Sequence, residues 1–331
     1  LENSYDWFDF TMHPTNFDTD KGDLTEGLYG NDYEMSASDA MKNKYDSYYN
    51  YLKLKPGMNL LDLGCGYCHW SKYLKKKGIN VTGLTLSKPQ KEMCESHKIK
   101  VYNEDFRRFI QLTNSKYEAV SALGSLEHLT SSGMTSLEEE RVHYEFFRNI
   151  NRVLKPNGNA IITVCNMNPK YKGWKIYSNL NNGKNNKYTM KDSIHMYNLA
   201  SFYGCGRYPH VKDYKRYLNK YFDMKNVRNI TEDYRWAGIK FGDNHWQNSK
   251  IFINTPYRLL KLCQYIISDP WILGRLNYSR MKSWYWQFGG DQKTPIMNND
   301  SSPIIVNCYV LNKKNYDKSW KNDPDALKLI S

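Results

Sequence analysis

The sequence predicts an α/β fold, a parallel sheet wound with helices on both faces, and three observations carry that reading. Between residues 58 and 165 short apolar runs alternate with helical stretches. The first run ends in an Asp-x-Gly-x-Gly turn that opens a helix, and a late apolar run, Pro303 to Leu311, reads as a strand that returns to the sheet. The expected strands are Met58 to Leu63, Val81 to Leu86, Lys100 to Tyr102, Ala119 to Leu123 and Ala160 to Val164. The helices between them are Cys68 to Lys77, Pro89 to His97 and Leu137 to Leu154. Connections of this kind are right-handed crossovers.

Upstream, residues 1–35 are polar and aromatic with little periodicity, as expected of an N-terminal arm or lid. Ser38 to Leu52 reads as a helix, with Ser36 or Ser38 as N-cap and Pro56-Gly57 as the stop. Downstream of Cys165 the character changes. Asn179 to Lys187 is an Asn/Lys/Gly-rich loop, and Met196 to Leu218 is Tyr-rich with weak helical patterning. Val227 to Trp236 reads as a strand, and Tyr257 to Ile267 and Leu273 to Trp286 read as helices. The organisation expected is an arm (1–35), a ligand-binding core (36–165), an inserted helical and aromatic cap with a late core strand (166–290), and a final strand with a tail (291–331).

Composition narrows the function classes. Across 331 residues, 40% hydrophobic and 24% charged content excludes a wholly disordered chain. No run approaches the roughly 18 apolar residues that cross a bilayer, and residues 1–10 lack a basic and then apolar leader, so a soluble cytoplasmic protein is the expectation. The net charge of +13 suits anionic partners, among them membrane headgroups, or a solvated Lys-rich surface. Nucleic acid is not the favoured partner, because the aromatic residues gather in the cap instead of interleaving with basic runs. The seven cysteines are scattered and odd in number, which reads as reduced core residues.

The segment Asn59 to Cys68 carries the chemistry. Gly64 and Gly66 let the backbone turn sharply and approach a ligand, and the helix that follows offers free N–H groups. A dinucleotide fingerprint needs a third glycine where His69 stands, and a phosphate loop needs a Gly-Lys-Ser/Thr that is absent. S-adenosylmethionine is the ligand favoured, with the acidic Asp62 able to hold its positively charged methionyl end. Cys65-x-x-Cys68-His69 also spells the haem-attachment pattern, but a turn between a buried strand and helix cannot present both thiols. No second Cys/His pair at zinc spacing accompanies it, so no metal is expected.

Asp62-x-Gly64-x-Gly66, Val81 to Ser87, Leu126-Glu127-His128 and Val153 to Gly158 together resemble class I S-adenosylmethionine-dependent methyltransferases. That resemblance implies a Rossmann-like, seven-stranded sheet. The second strand ends in Thr85-Leu86-Ser87 with Gln90 beyond, not in an acidic residue, and so resembles the cyclopropane fatty acid synthase branch. The branch also contains mycolic acid methyltransferases and alkaloid N-methyltransferases. Ser36 to Gly57, Glu232-Asp233-Tyr234 and Arg280-Met281-x-x-Trp284-Tyr285 extend the likeness, whereas Lys170 to Leu218 has no counterpart in it.

The resemblance implies that Gly64 and Gly66 lie under the cofactor, that Thr85, Leu86 and Gln90 lie near its ribose, and that Glu104 and Asp105 meet the adenine edge. Glu127 and His128 would face the transferable methyl, and Tyr285 matches a site tyrosine of the synthases. For each a plainer role stands beside this one: strand packing for Thr85 and Leu86, turn capping for Glu104 and Asp105, loop packing for His128, and core for Tyr285. The resemblance also exposes two departures. Gly27 stands where the synthases have Cys, and Thr163 where they have His, the groups that help their Glu hold a proton-accepting bicarbonate.

The function expected is methyl transfer to a small amine or a lipid-like acceptor, releasing S-adenosylhomocysteine. The alternatives are a cyclopropane fatty acid synthase acting on unsaturated phospholipid, a nucleic-acid methyltransferase, or a noncatalytic S-adenosylmethionine-binding protein. Trp236, His245, Trp246, Trp271, Trp284, Tyr285 and Trp286 give the cap aromatic faces for an acyl chain or a cationic amine, or else simply form its core.

Overall fold

The structure is a computed structural model that describes residues 27–130, 134–171, 208–237 and 302–314, together with Leu260, Cys263, Gln264 and Ile267. Of the expected helix Tyr257 to Ile267, the described residues Leu260, Cys263, Gln264 and Ile267 are helical; the helix expected over Leu273 to Trp286, the Asn/Lys/Gly loop, Tyr285 and the cap's aromatic residues beyond Trp236 lie outside the described residues.

Helix α1 (Ala37–Tyr51) begins where the Ser36 side chain accepts the Asp39 N–H, so the first of the two candidate caps is the one used. The alternation then unfolds as β1 (Asn59–Leu63), α2 (His69–Lys76), β2 (Asn80–Thr85), α3 (Lys88–Ser96), β3 (Lys100–Asn103), α4 (Phe106–Leu112) and β4 (Tyr117–Leu123). A short 3₁₀ turn (Leu126–His128), α5 (Ser136–Val153) and β5 (Leu154–Met167) follow. Beyond them come α6 (Val211–Tyr221), β6 (Phe222–Asn229), a helical stretch α7 (231–237) and β7 (Ile304–Lys313).

The seven strands form one sheet in the order β3-β2-β1-β4-β5-β7-β6. β1 to β5 pair in parallel, as expected of the core, and β7 inserts antiparallel between β5 and β6. Alternation along the strands sorts the core into two layers. Leu61, Leu63, Val120, Ala122, Ile162, Val164, Tyr309 and Leu311 face α4, α5 and α6. Leu60, Ala119, Ile161, Cys165, Val306 and Cys308 face α1 and α2.

The structure adjusts the expected elements in several places. The strand expected over Val227 to Trp236 ends at Asn229, because the Asn229 side chain accepts the Thr231 N–H and hydroxyl and starts α7. Of Met196 to Leu218, the described helix covers Val211 onwards and runs to Tyr221. α4 was not foreseen; it is short and opens with Asp105 as its N-cap. β5 starts six residues before Ala160, since Tyr117 pairs with Leu154 and Ala119 with Asn159 while residues 155–158 bulge out, with Asn157 at φ 60°. Of the cysteines, Cys65, Cys68, Cys94, Cys165 and Cys308 are reduced and buried, whereas Cys263 is exposed.

His143 of α5 is buried against α6. Its ring stacks on Tyr217 at 5.0 Å, and its Nδ1 lies 2.7 Å from the Glu139 carbonyl oxygen, to which it donates. Burial lowers its pKa to about 4 from 6.5, with the Glu139 contact opposing. Unfolded chains take up a proton here as the pH falls below about 6.5 and folded ones do not, so stability present at neutral pH is lost down to about pH 4. The loss is about 3 kcal/mol. Urea unfolding at pH 7 and pH 4.5 should show this drop in the parent chain and a shallower one in His143→Phe; equal slopes would remove His143 from the account.

Candidate active site

Because β1 to β5 run the same way, their carboxyl ends share one edge of the sheet, and there the expected site residues gather. β1 leaves the sheet at Gly64, whose N–H and that of Cys65 both reach the Leu84 carbonyl at 3.0 and 2.9 Å. Gly64 has φ +81°, and a Cβ there would sit 2.6 Å from Ser125 Cβ, so only glycine fits. Gly66, at φ +51°, has open space where a Cβ would point. Ser125, a residue that carries no motif, closes the loop by donating from Oγ to the Leu63 carbonyl at 2.7 Å.

Cys68 adopts φ +59° just before α2, an unusual conformation for a side-chain-bearing residue. Its thiol packs with Cys65 and Cys94 beneath the loop, and Cys94 Sγ lies 3.4 Å from the Gly66 carbonyl oxygen. The hydrogen bond with Cys94, and burial, push the Cys68 thiol well above its ordinary range. These are protonated packing groups.

Asp62 is buried, and its carboxylate accepts from Ser71 Oγ at 2.9 Å and Ser121 Oγ at 2.8 Å, while Trp70 Nε1 donates to the same Ser121. It thus braces α2 and β4 against β1 directly behind the glycine turn.

At the end of β2, Thr85 Oγ1 donates to Gln90 Oε1 at 2.7 Å and accepts the Ser87 N–H at 3.2 Å. Ser87 caps α3 by accepting the Gln90 N–H. Thr85 and Gln90 are buried together, and Leu86 between them stays 36% exposed at the rim. Past β3, Glu104 pairs with Arg108 at 3.5 Å. Asp105 caps α4 through the Arg107 N–H and grips the Arg107 guanidinium. Burial pushes Asp105 up, but the Arg107 bonds together hold it below the usual carboxylate range. Both acids are therefore engaged in the turn itself.

Glu127 is placed by a gap in the sheet. β4 ends at Leu123, opposite Thr163, and the Gly124 N–H still reaches the Thr163 carbonyl at 3.1 Å. Two residues on, the Cys165 N–H points to the same side past the end of β4, and Glu127 Oε1 accepts it at 2.9 Å. The carboxylate is thereby fixed at the same edge as the glycine turn, with His128 beside it on the 3₁₀ turn and both half-buried.

The arm is tied in by the Glu232-Asp233-Tyr234 element. Asp233 Oδ1 accepts the Tyr29 N–H at 2.7 Å and the Gly30 N–H at 3.4 Å. Glu232 accepts from Arg235 at 3.0 Å and from Trp236 Nε1 at 3.2 Å, and the Trp236 ring stacks on Tyr33 at 5.0 Å. Burial raises the Asp233 carboxyl above its ordinary value, opposed by those backbone donors and Arg228.

The model of a family described as mycolic acid cyclopropane synthetase matches residues 27–255. The chain belongs to that family. A probable fatty acid methyltransferase of Mycobacterium tuberculosis is 33% identical over 104 residues, 29% of this chain and 24% of that protein. The cyclopropane-fatty-acyl-phospholipid synthase of Escherichia coli K12 is 29% identical over 112 residues, 32% of this chain and 26% of that one. The chain thus spans about a quarter of the length of these curated relatives. In three dimensions it matches mycolic acid cyclopropane synthase CmaA1 complexed with SAH and CTAB, at TM-score 0.66 and 17% identity over 95% of this chain and 96% of that one. It also matches the cyclopropane synthase MmaA2 from Mycobacterium tuberculosis, at TM-score 0.63 and 18% identity over 93% of this chain and 94% of that one. The seven-stranded class I methyltransferase fold is therefore established.

The two positions at which the chain was expected to depart from the synthases, Gly27 and Thr163, have definite local settings. A Cβ on Gly27 would meet Ala40 Cβ at 2.7 Å, so α1 approaches too closely for a thiol. Thr163 turns its hydroxyl to accept the Gly124 N–H at 3.0 Å, which stiffens the turn that carries Glu127. Gly27→Cys should lower stability by about 1–3 kcal/mol through overpacking, and adding Ala40→Gly should recover most of it. Denaturant midpoints of the single and double variants check this; an undiminished midpoint in the single variant would show that α1 yields freely.

Proposed function

We propose that the chain is an S-adenosylmethionine-dependent methyltransferase that methylates a lipid-like acceptor and releases S-adenosylhomocysteine. The observation that carries the reading is the pairing of the side-chain-free turn at Gly64 and Gly66 with a carboxylate, Glu127, fixed by the Cys165 N–H on the same sheet edge. The residues present suit the cofactor: the open space over Gly66 accepts a close-lying ligand, and the Thr85–Gln90 pair offers hydroxyl and amide groups to a ribose. When bound, the cofactor supplies an electrophilic methyl carbon on a sulfonium.

Glu127 then orients the acceptor and takes or shields the proton or positive charge that develops on it, with His128 as its neighbour. Asp62, already engaged by two serines, braces the turn from behind. The lipid-like acceptor rests on family membership and on relatives described as fatty acid and phospholipid enzymes. Gly27 and Thr163 favour simple transfer over ring closure, because neither supplies the thiol or imidazole that the synthases bring to their proton acceptor.

The test is incubation of the chain with trideuteromethyl-labelled cofactor and vesicles of unsaturated phospholipid. Simple transfer to a heteroatom delivers all three deuterons to lipid, whereas methylene insertion loses one to solvent as the ring closes. Absence of label in lipid would refute the lipid acceptor, and ring product would refute transfer without closure.

A further inference from the structure

We infer that Asn166 of β5 is a positioning residue for Glu127: its side-chain amide fastens the Pro209 carbonyl as the far wall of the slot in which the carboxylate sits. The inference rests on the reading of Glu127 given above, and it concerns a residue to which the sequence pattern gives no role.

Past Leu123, β5 has no β4 beside it, and the N–H groups that would have continued that ladder point outward at alternate residues. The first of them, Cys165 N–H, is taken by Glu127 Oε1 at 2.9 Å. The next on the same side, Met167 N–H, is taken by the Pro209 carbonyl at 3.1 Å, where residues 208–210 run along β5 and His210 pairs in parallel with Met167. Glu127 therefore fills the gap between the end of β4 and this strap, and the position of the strap sets the width of the gap.

Among the described residues the backbone of the strap makes a single bridge to β5. Asn166 adds a second tie, because its Nδ2 donates to the same Pro209 carbonyl at 3.3 Å. The other end of the amide is held from β7: Oδ1 accepts from Tyr309 Oη at 2.9 Å and from Asn307 Nδ2 at 3.0 Å. All three side chains are buried, Asn166 completely. The sheet itself does not need an amide here. Ile162 and Val164, which share this face of β5, are apolar, and Met167 N–H reaches the Pro209 carbonyl without help. A buried amide engaged at both ends admits one geometry where an apolar side chain would admit several. What it fixes is the carbonyl next along the edge from Glu127.

The experiment is amide hydrogen exchange of the full chain labelled with nitrogen-15 cysteine, the Cys165 signal being assigned by its loss in Cys165→Ala. In Asn166→Leu the strap loses its second tie, and the Cys165 amide should exchange about tenfold faster, the local effect of losing about one hydrogen bond. Cys308, inside β7 between β5 and β6, should keep its rate. Tyr309→Phe is the control: it removes a buried bond of the same network but leaves the amide on Pro209, so the Cys165 rate should hold. Parent-like exchange of Cys165 in Asn166→Leu would overturn the proposal. Equal acceleration in both variants would overturn it too, making the network a general brace. Should the leucine variant not fold, Asn166→Ser, whose hydroxyl stops short of Pro209, carries the same comparison. Label transfer to lipid should slow in Asn166→Leu and not in Tyr309→Phe, at unchanged affinity for S-adenosylhomocysteine, and an undiminished rate beside a loosened Cys165 amide would also contradict the assignment. The exchange readout needs no acceptor, so failure of the broader functional reading would appear separately, as no uptake of S-adenosylmethionine by the parent chain.

Discussion

Glu127→Gln removes methyl transfer while leaving the cofactor bound. The expected loss is about 10²- to 10⁴-fold in the rate of label transfer to lipid, the range for removing a positioned acid–base or charge-stabilising group. The amide can still accept the Cys165 N–H through its carbonyl oxygen, so the 3₁₀ turn at Leu126–His128 keeps its place and the thermal midpoint stays close to that of the parent. What disappears is the negative charge at the sheet edge. Calorimetric affinity for S-adenosylhomocysteine should change by no more than about threefold, since that is well under the 1.4 kcal/mol of a tenfold change. A variant that transfers methyl groups at the parent rate would remove Glu127 from the chemistry.

Gly64→Ala has the opposite signature, with the cofactor site lost first. Two penalties act together: a left-handed backbone at φ +81° and a Cβ 2.6 Å from that of Ser125. The conformational part is about 1–2 kcal/mol, and the collision forces either the turn or the Ser125 bond to the Leu63 carbonyl to give way. Affinity for S-adenosylhomocysteine should fall by about a hundredfold or more, the sum of that conformational cost and a comparable overpacking cost. Adding Ser125→Gly should return only part of it, because the backbone penalty remains. Full recovery in the double variant would show that the collision alone matters, and undiminished binding in the single variant would place the ligand elsewhere.

The parallel core was legible because its signals are local. Each strand from β1 to β5 is a short apolar run beside a helical one, and Gly64 and Gly66 mark the turn by what they lack. The antiparallel insertion of β7 was not legible as such, since Pro303 to Leu311 announces a strand but not its neighbours or direction. α4 escaped because seven residues hold too few helical turns for periodicity to emerge, and its cap, Asp105, was read first as a ligand group.

The glycines and Glu127-His128 stood out in the sequence as candidates, but what fixes them in place did not. Ser125, Ser71 and Ser121 carry no motif, and the donor that holds Glu127 is a backbone N–H exposed only because β4 stops two residues short. Asp62 was expected to meet the cofactor directly; in the fold its carboxylate is engaged by two serine hydroxyls at the junction of β1, β4 and α2.

The measurement that bears most directly on the central claim is a crystal structure of the chain grown with S-adenosylhomocysteine. The account predicts the adenosyl group lying over the Gly64–Gly66 turn, its ribose beside Thr85 and Gln90, and its sulfur turned towards the carboxylate of Glu127. Density for the ligand at any other edge of the sheet, or a sulfur facing away from Glu127, would contradict it.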